Sequence, residues 1–397
     1  MEIILALGIL MLLGFLGAKV SNRLKFPMVT GFIVVGMLLS PSVSGIVSKE
    51  LIEQVAPITD IALGIIAFLV GGSLSINRLR RLSKQILWIT MVQASLATIF
   101  VALLIILLVP YMTNLDFSFI ISMALILGAV SAATAPAATL AIVHEYRAKG
   151  PLTTTLLAIV ALDDAVCIVF FVICAALAEV IIGSGISLYS VFQPLISILS
   201  SILLGITVSA VSHFLKKVVH GNEEVLTVAL SMVFVTSGLA RLLNADPLLA
   251  NMVFGFIVEN YVGFETMFTV LESIENVIFA LFFTLAGTHF DLGLMTAALP
   301  LALIVIIGRF SGKYIGSYIG GLISKAPEVI RKYIGLGLLP KAGVTVGLIL
   351  FVAEVASFEP FIEIALNAIL ASVILNELAA PPLTKYAIFK AGEAYKG

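Results

Sequence analysis

The chain has 397 residues, of which 61% are hydrophobic and 11% charged, with a formal net charge of −1 and a mean hydropathy of +1.19. Soluble domains usually carry about 25% charged residues. The composition therefore excludes an ordinary soluble protein and indicates an integral membrane protein. No polar stretch is long enough to form a separate domain, so we expect one membrane domain over 1–397, all α-helical, without a soluble regulatory domain.

Hydrophobic stretches divide the chain into thirteen candidate membrane-spanning helices, since a span needs about 20 apolar residues. Their approximate bounds are 3–18, 27–47, 54–76, 86–109, 117–143, 152–182, 191–215, 224–243, 247–262, 268–290, 298–323, 330–355 and 360–380. The first stretch lacks a basic start and a small-residue cleavage site, so we expect it to remain as a span.

The basic residues predict the orientation of these spans. Alternate connections and the C-terminal tail together hold 17 of the 22 Lys and Arg residues, whereas the opposite side holds only Lys49 and Arg241. Cytoplasmic loops collect Lys and Arg. We therefore expect a multi-pass protein of the cell membrane with its N-terminus outside and its C-terminus in the cytoplasm.

The two halves of the chain resemble each other at a displacement of seven spans. "FPMVTGFIVVG" in the second span resembles "DPLLANMVFGFIV" in the ninth, and "FLVGGSLS" in the third resembles "FTLAGTHFD" in the tenth. An odd displacement inverts the second copy, which is the inverted-repeat plan typical of secondary transporters. The fifth span then corresponds to the twelfth, and the sixth to the thirteenth.

Prolines predict helix breaks in the fifth and twelfth spans. Pro136 in "SAATAPAAT" and Pro340 in "GLGLLPKAGVTVG" both lie well inside their spans and lack the N–H that an intact helix needs. Unpaired backbone at membrane depth is tolerated where it is buried in protein or lines a wet cavity. Two ordinary proline kinks are the alternative, but a symmetric pair of breaks favours a transport site.

Adjacent acids, Asp163 and Asp164, lie near the middle of the sixth span. A charge at the centre of a span costs about 2.5 to 3.5 kcal/mol, so their presence indicates a function. Neighbouring helical positions point about 100° apart, so one acid can face a cavity while the other faces a helix. Arg309 and Lys341 are the deep counter-charges, and structural salt bridges to them are the alternative interpretation.

Two further charged positions admit simpler interpretations. Lys313 lies one turn from Arg309 toward the cytoplasm and is either a snorkelling interfacial lysine or part of the site. Glu377 lies near the end of its span, and we expect it to be interfacial.

Four motifs together resemble the monovalent cation/proton antiporter superfamily: "TAPAAT", "LDDA", "GRFSGKYIG" and "LPKAG". The adjacent acids are similar to those of its electrogenic sodium/proton antiporter branch. The resemblance implies two crossing discontinuous helices and a core domain that slides against a dimerisation domain, in a homodimer. It assigns 54–182 and 268–380 to the core helices and 1–47 and 191–262 mainly to the interface.

The resemblance also implies roles for individual residues. Asp164 corresponds to the Na⁺ ligand, with Asp163 and Thr134 nearby, and Arg309 corresponds to the basic partner of Asp163. If Asp163 pairs with Arg309, both transported protons ride on the aspartates. If it pairs with Lys341, that lysine can release one, but the matching depth of Arg309 favours the first arrangement.

We therefore expect a secondary transporter that exchanges Na⁺ or Li⁺ for protons, electrogenic and of elevator type. The alternatives are a K⁺/H⁺ antiporter of the potassium-efflux type, against which Ser73 and the end at Gly397 argue, and a sodium-coupled symporter for an organic solute. An enzyme is not expected, because an intramembrane aspartyl protease needs acids on different helices. The expected partners are the transported ions and membrane lipids, with no resident cofactor and no nucleic acid.

Overall fold

The computed structural model describes residues 3–24, 26, 28–76, 84–135, 139, 142–143, 146–183, 188–341 and 343–394. Regular structure within these ranges is helical throughout, with no strand. The helices are α1 (Ile3–Arg23), α2 (Met28–Leu39), α3 (Lys49–Ser73), α4 (Lys84–Leu108), α5 (Phe117–Val130), α6 (Pro151–Ile182), α7 (Leu188–Leu215), α8 (Asn222–Leu242), α9 (Pro247–Ile257), α10 (Thr266–Thr288), α11 (Met295–Ile323), α12 (Glu328–Gly337), α13 (Gly343–Ala353) and α14 (Glu359–Lys390).

By length and composition, eight helices in the described ranges can cross a membrane, and five shorter apolar helices accompany them. The longest of these elements, which contain α6, α11 and α14, have apolar windows that are one-third to two-thirds buried inside the protein. This confirms an all-helical, multi-pass membrane protein. The count of thirteen spans stays a prediction.

The helices pack in two groups. Helix α4 lies along α11 and contacts α5 and α6, while α12, α13 and α14 complete the same group. In the second group α3 packs on α9, α10 on α2, and α7 and α8 on α9. Helices α3 and α10, which the sequence assigned to the core, thus have their main neighbours in the second group. Which helices move together stays a prediction.

A row of glycines brings α11 against the backbone of α4. The row recurs every four residues, at Gly308, Gly312, Gly316 and Gly320. A Cβ atom on Gly312 would lie 2.5 Å from the Ala97 Cα, and one on Gly316 would lie 2.6 Å from the Gln93 Cα. Small residues at this spacing let membrane helices approach closely. The face of α11 beside the row therefore lies next to α4 rather than in lipid.

The chain leaves the helical conformation in both stretches where breaks were predicted. Helix α5 ends at Val130 and is followed by non-helical residues 131–135, and residues 338–341 separate α12 from α13. Pro340 lies in the second break, whereas Pro136 lies outside the described residues. The breaks touch each other, because the Ala135 N–H donates to the Pro340 carbonyl at 3.0 Å.

Candidate ion site at the crossing of two interrupted helices

The two adjacent acids on α6 occupy different environments. Asp163 is completely buried, whereas Asp164 is partly exposed. The backbone N–H of Thr134, in the first break, lies close to the Asp164 carboxylate. This difference agrees with the 100° separation of neighbouring helical positions. Of the two acids, Asp164 is thus the one whose side chain is partly open to its surroundings.

Asp163 accepts three hydrogen bonds from buried side chains. Its Oδ2 atom receives the Thr134 hydroxyl at 2.5 Å and the Lys313 ammonium at 3.0 Å. Its Oδ1 atom receives the Gln93 amide nitrogen at 2.6 Å. Three donors converge on the two oxygens, which is the pattern of an ionised carboxylate. The surroundings of Asp163 are thus built from donors that a carboxylate can accept.

Lys313 has an acceptor for each of its three ammonium protons. Besides Asp163, its Nζ atom donates to the Gln93 side-chain oxygen at 2.9 Å and to the Thr134 hydroxyl at 2.8 Å. An ammonium group has three donors and no acceptor, so the three contacts match a protonated lysine. The site therefore holds a buried ion pair whose remaining hydrogen-bonding capacity is satisfied.

Of the described cations, Lys313 is the one that pairs with Asp163, in place of the expected Arg309 or Lys341. Lys313 is fully buried and does not snorkel. The cause is the glycine row, since close packing of α11 on α4 leaves the lysine inside the bundle. The repeated small residues in "GRFSGKYIGSYIGG" are the sequence signal that indicates this position.

Arg309 instead binds the open ends of both interrupted helices. Its guanidinium donates to five backbone carbonyls, those of Ser131, Ala133, Leu338, Leu339 and Pro340, at 2.5 to 3.3 Å. The last carbonyls of a helix lack intrahelical partners and carry its negative dipole end. Ser131 and Leu338, which directly follow α5 and α12, supply two of these carbonyls, and the other three lie in the breaks, so Arg309 joins the two breaks.

Lys341 lies in the second break and is anchored to α14. Its Nζ atom donates to the Ser372 hydroxyl at 3.2 Å, and its backbone N–H donates to Glu377 Oε1 at 3.1 Å. Glu377 is fully buried rather than interfacial, because it supports this non-helical backbone. The Asn376 amide bonds the Leu339 carbonyl at 2.5 Å and adds to the same support.

The structure brings most of the sequence-predicted residues together and adds one that the sequence did not indicate. Asp163, Asp164 and Thr134 lie together as expected, and Arg309 and Lys341 lie at the breaks. Gln93 and the pairing role of Lys313 were missed. A single glutamine in an apolar span carries no motif, and only the packing of α4 on α11 shows its importance.

Comparisons with known proteins agree with this architecture. The family model described as "Sodium/hydrogen exchanger, transmembrane" matches residues 8–386. A search of curated proteins finds no significant match. Among solved structures, the chain is similar to the sodium proton antiporter MjNhaP1 from Methanocaldococcus jannaschii at pH 8, with a TM-score of 0.74 and 19% identity over 98% of each chain. An electron-microscopy map of that antiporter gives a TM-score of 0.69 and 19% identity over 100% of each chain.

Proposed function

The chain belongs to the sodium/hydrogen exchanger family, and we propose that it exchanges Na⁺ or Li⁺ for protons across the cell membrane. The observation that carries this proposal is that the partly exposed Asp164 lies beside the buried ion pair of Asp163 and Lys313. Both acids lie where two interrupted helices meet, as in the transport sites of inverted-repeat transporters.

Exchange follows from competition at Asp164. A carboxylate removed from bulk water is costly unless a proton or a cation neutralises it. Hard monovalent cations take oxygen ligands, and Asp164 with neighbouring hydroxyl and carbonyl oxygens offers them. Because one carboxylate cannot hold both at once, binding a cation on one side and a proton on the other couples their opposite movements.

Lys313 supplies the second proton in this proposal. When a cation draws the Asp163 carboxylate toward Asp164, Lys313 loses one acceptor and can release one proton. The resulting amine keeps two N–H donors, for which Gln93 and Thr134 remain as acceptors. Two protons then leave for each cation, so the exchange carries charge. This assignment replaces the two-aspartate scheme, which depended on Arg309 as the partner.

Alternating access follows if the group of α4, α5, α6 and α11 to α14 slides as a unit against the remaining helices. The crossing point and its bound ion travel with that group, because Arg309 ties both breaks to α11. We assign the homodimer contact to the other group. A K⁺/H⁺ antiporter would use the same site, and a sodium-coupled symporter would need an additional solute pocket.

The test is reconstitution into liposomes with an imposed pH gradient monitored by a fluorescent dye. Addition of Na⁺ or Li⁺ should dissipate the gradient and shift the membrane potential. Dissipation by K⁺ alone would assign the protein to the potassium-efflux alternative. A pH gradient unaffected by Na⁺, Li⁺ and K⁺ would exclude cation/proton exchange and leave the symporter.

A further inference from the structure

We propose that Gln93 is a positioning residue. Its amide oxygen accepts a hydrogen bond from Lys313 and its amide nitrogen donates to Asp163, so that both groups keep their positions when the ion pair separates and re-forms. The inference rests on the proposed exchange function and extends it to α4. This helix carries neither of the two acids and is not one of the interrupted helices.

The geometry around Gln93 leaves its amide one orientation. The side chain is fully buried, and its Oε1 atom faces the Lys313 ammonium at 2.9 Å. Because an ammonium only donates, the oxygen must be on that side, and the nitrogen then faces Asp163 Oδ1 at 2.6 Å. The second amide proton is used by the Thr90 carbonyl at 3.2 Å.

The Gln93 backbone is also fixed. A Cβ atom on Gly316 would lie 2.6 Å from the Gln93 Cα, so α11 touches α4 at this residue. The amide therefore projects from a rigid contact between the two helices, one of which carries Lys313. The starting point of the Gln93 side chain is thus held in place relative to Lys313.

A neutral amide suits a pair that must separate. When Lys313 and Asp163 part, the carboxylate still receives the Gln93 N–H and the lysine still donates to the Gln93 oxygen. Neither buried group is left without a partner, which would otherwise impose a large desolvation cost. An apolar side chain offers neither contact, and an ionised side chain would favour one partner and repel the other.

Two substitutions separate this role from simple packing. Gln93→Met keeps the volume and removes both hydrogen bonds. Gln93→Glu keeps both when protonated, because its O–H can donate to Asp163 while its carbonyl accepts from Lys313. Once ionised, the introduced glutamate places one of its oxygens at hydrogen-bond distance from an Asp163 oxygen. Two carboxylates this close are stable only when they share a proton. Gln93→Glu should therefore work at acidic pH and fail as the pH rises.

Gln85 provides the matched control, since it is a glutamine on the same helix whose amide, within the described part of the chain, has one hydrogen-bond partner, the Thr155 hydroxyl at 3.5 Å. Initial rates of Na⁺-driven proton movement are measured in liposomes from acidic to alkaline pH. We expect the initial rate of Gln93→Met to fall about ten-fold or more at every pH, because the loss of a single hydrogen bond to a charged group already accounts for that factor and this variant loses two. Gln93→Glu should lose activity only on the alkaline side, while Gln85→Met and Gln85→Glu follow the wild type.

Thermal melting of the purified variants across the same pH range gives a readout independent of transport. The melting temperature of Gln93→Glu should fall with rising pH relative to Gln85→Glu, because ionisation adds a charge beside Asp163. Parallel melting curves, or a Gln93→Met rate within two-fold of wild type, would overturn the positioning role. If the wild type shows no exchange, the proposed function is refuted instead. The melting comparison would then still test whether Gln93 contacts Asp163.

Discussion

The Nζ atom of Lys313 lies 3.0 Å from Oδ2 of Asp163, and neither side chain is exposed to solvent. Removing one partner of a buried ion pair typically costs about 3 to 5 kcal/mol, because the other charge is left uncompensated. The pair is therefore stable only while both charges are present or both are absent. Loss of the lysine proton must be coupled to neutralisation of Asp163 by another charge, which an entering cation supplies.

Lys313→Arg tests whether the lysine carries a transported proton. Arginine can pair with Asp163 but does not give up its proton in proteins. We expect exchange in this variant to become electroneutral, with one proton for each cation. The measurement is the membrane-potential change when a Na⁺ gradient is imposed on proteoliposomes. Charge movement as in the wild type would show that Lys313 does not carry the second proton.

Lys341→Gln is the companion variant. In the wild type the Lys341 ammonium donates to the Ser372 hydroxyl, whereas the Asp163 carboxylate accepts hydrogen bonds from Gln93 and Lys313. We therefore expect exchange in this variant to remain electrogenic, even if its rate changes. Electroneutral exchange here, with normal charge movement in Lys313→Arg, would assign the second proton to Lys341.

Asp164→Asn should abolish cation-driven proton movement and leave the protein folded. The amide keeps the shape of the side chain but can neither bind a proton in this pH range nor neutralise a cation. Dye-monitored exchange and size-exclusion chromatography measure the two properties. Asp116→Asn is the control, since that acid is exposed before α5 and its side chain caps no backbone N–H in the described structure. Exchange by Asp164→Asn at the control's rate would remove Asp164 from the ion site.

The fold class and the deep position of Asp163 could be predicted from the sequence because they depend on local rules. Hydrophobic length predicts spans, proline predicts the non-helical stretch at Pro340, and a buried Asp163 beside Asp164 is too costly to be incidental. Each of these features follows from the residues of a single helix, whichever helices are its neighbours.

The partner of Asp163 could not be predicted in this way. Arg309 and Lys313 are four residues apart and share a face of α11, so depth alone favours neither strongly. The choice depends on the packing of Gly312 and Gly316 against α4. It depends also on the hydrogen bonds that Arg309 donates to carbonyls of both interrupted helices. Those are relationships between helices, which one sequence does not show.

Arg309→Lys should destabilise the protein without removing the positive charge. Lysine has three donors in place of five and lacks the planar fork that reaches carbonyls of both breaks. At least two of the five carbonyls would lose their bond to the residue 309 side chain, and a hydrogen bond to a charged group contributes about 1.5 to 3 kcal/mol. We expect a clear fall in melting temperature in detergent. Arg23→Lys, at an exposed position on α1, should melt like the wild type.

Gly312→Ala should force α11 away from α4. The added Cβ would lie 2.5 Å from the backbone Cα of Ala97, closer than packed atoms approach, and backbone cannot turn aside as a side chain can. Overpacking of this kind costs about 1 to 3 kcal/mol. Gly238→Ala on α8 is the control, since nothing lies within 4 Å of its new Cβ. Equal melting temperatures for the two variants would show that the helices are not in close contact at Gly312.

Glu393→Ala should loosen the start of α6, the helix that carries both acids. The Glu393 carboxylate accepts the backbone N–H groups of Leu152 and Thr153 and the Thr153 hydroxyl, each at 2.7 Å. A negative group at this position satisfies donors that the helix leaves unpaired and interacts favourably with its dipole, for about 1 to 2 kcal/mol. The loss should appear as a lower melting temperature and faster hydrogen exchange at the first turn of α6. Glu363→Ala, at an exposed position on α14, should change neither, and an equal effect of both variants would contradict the capping role.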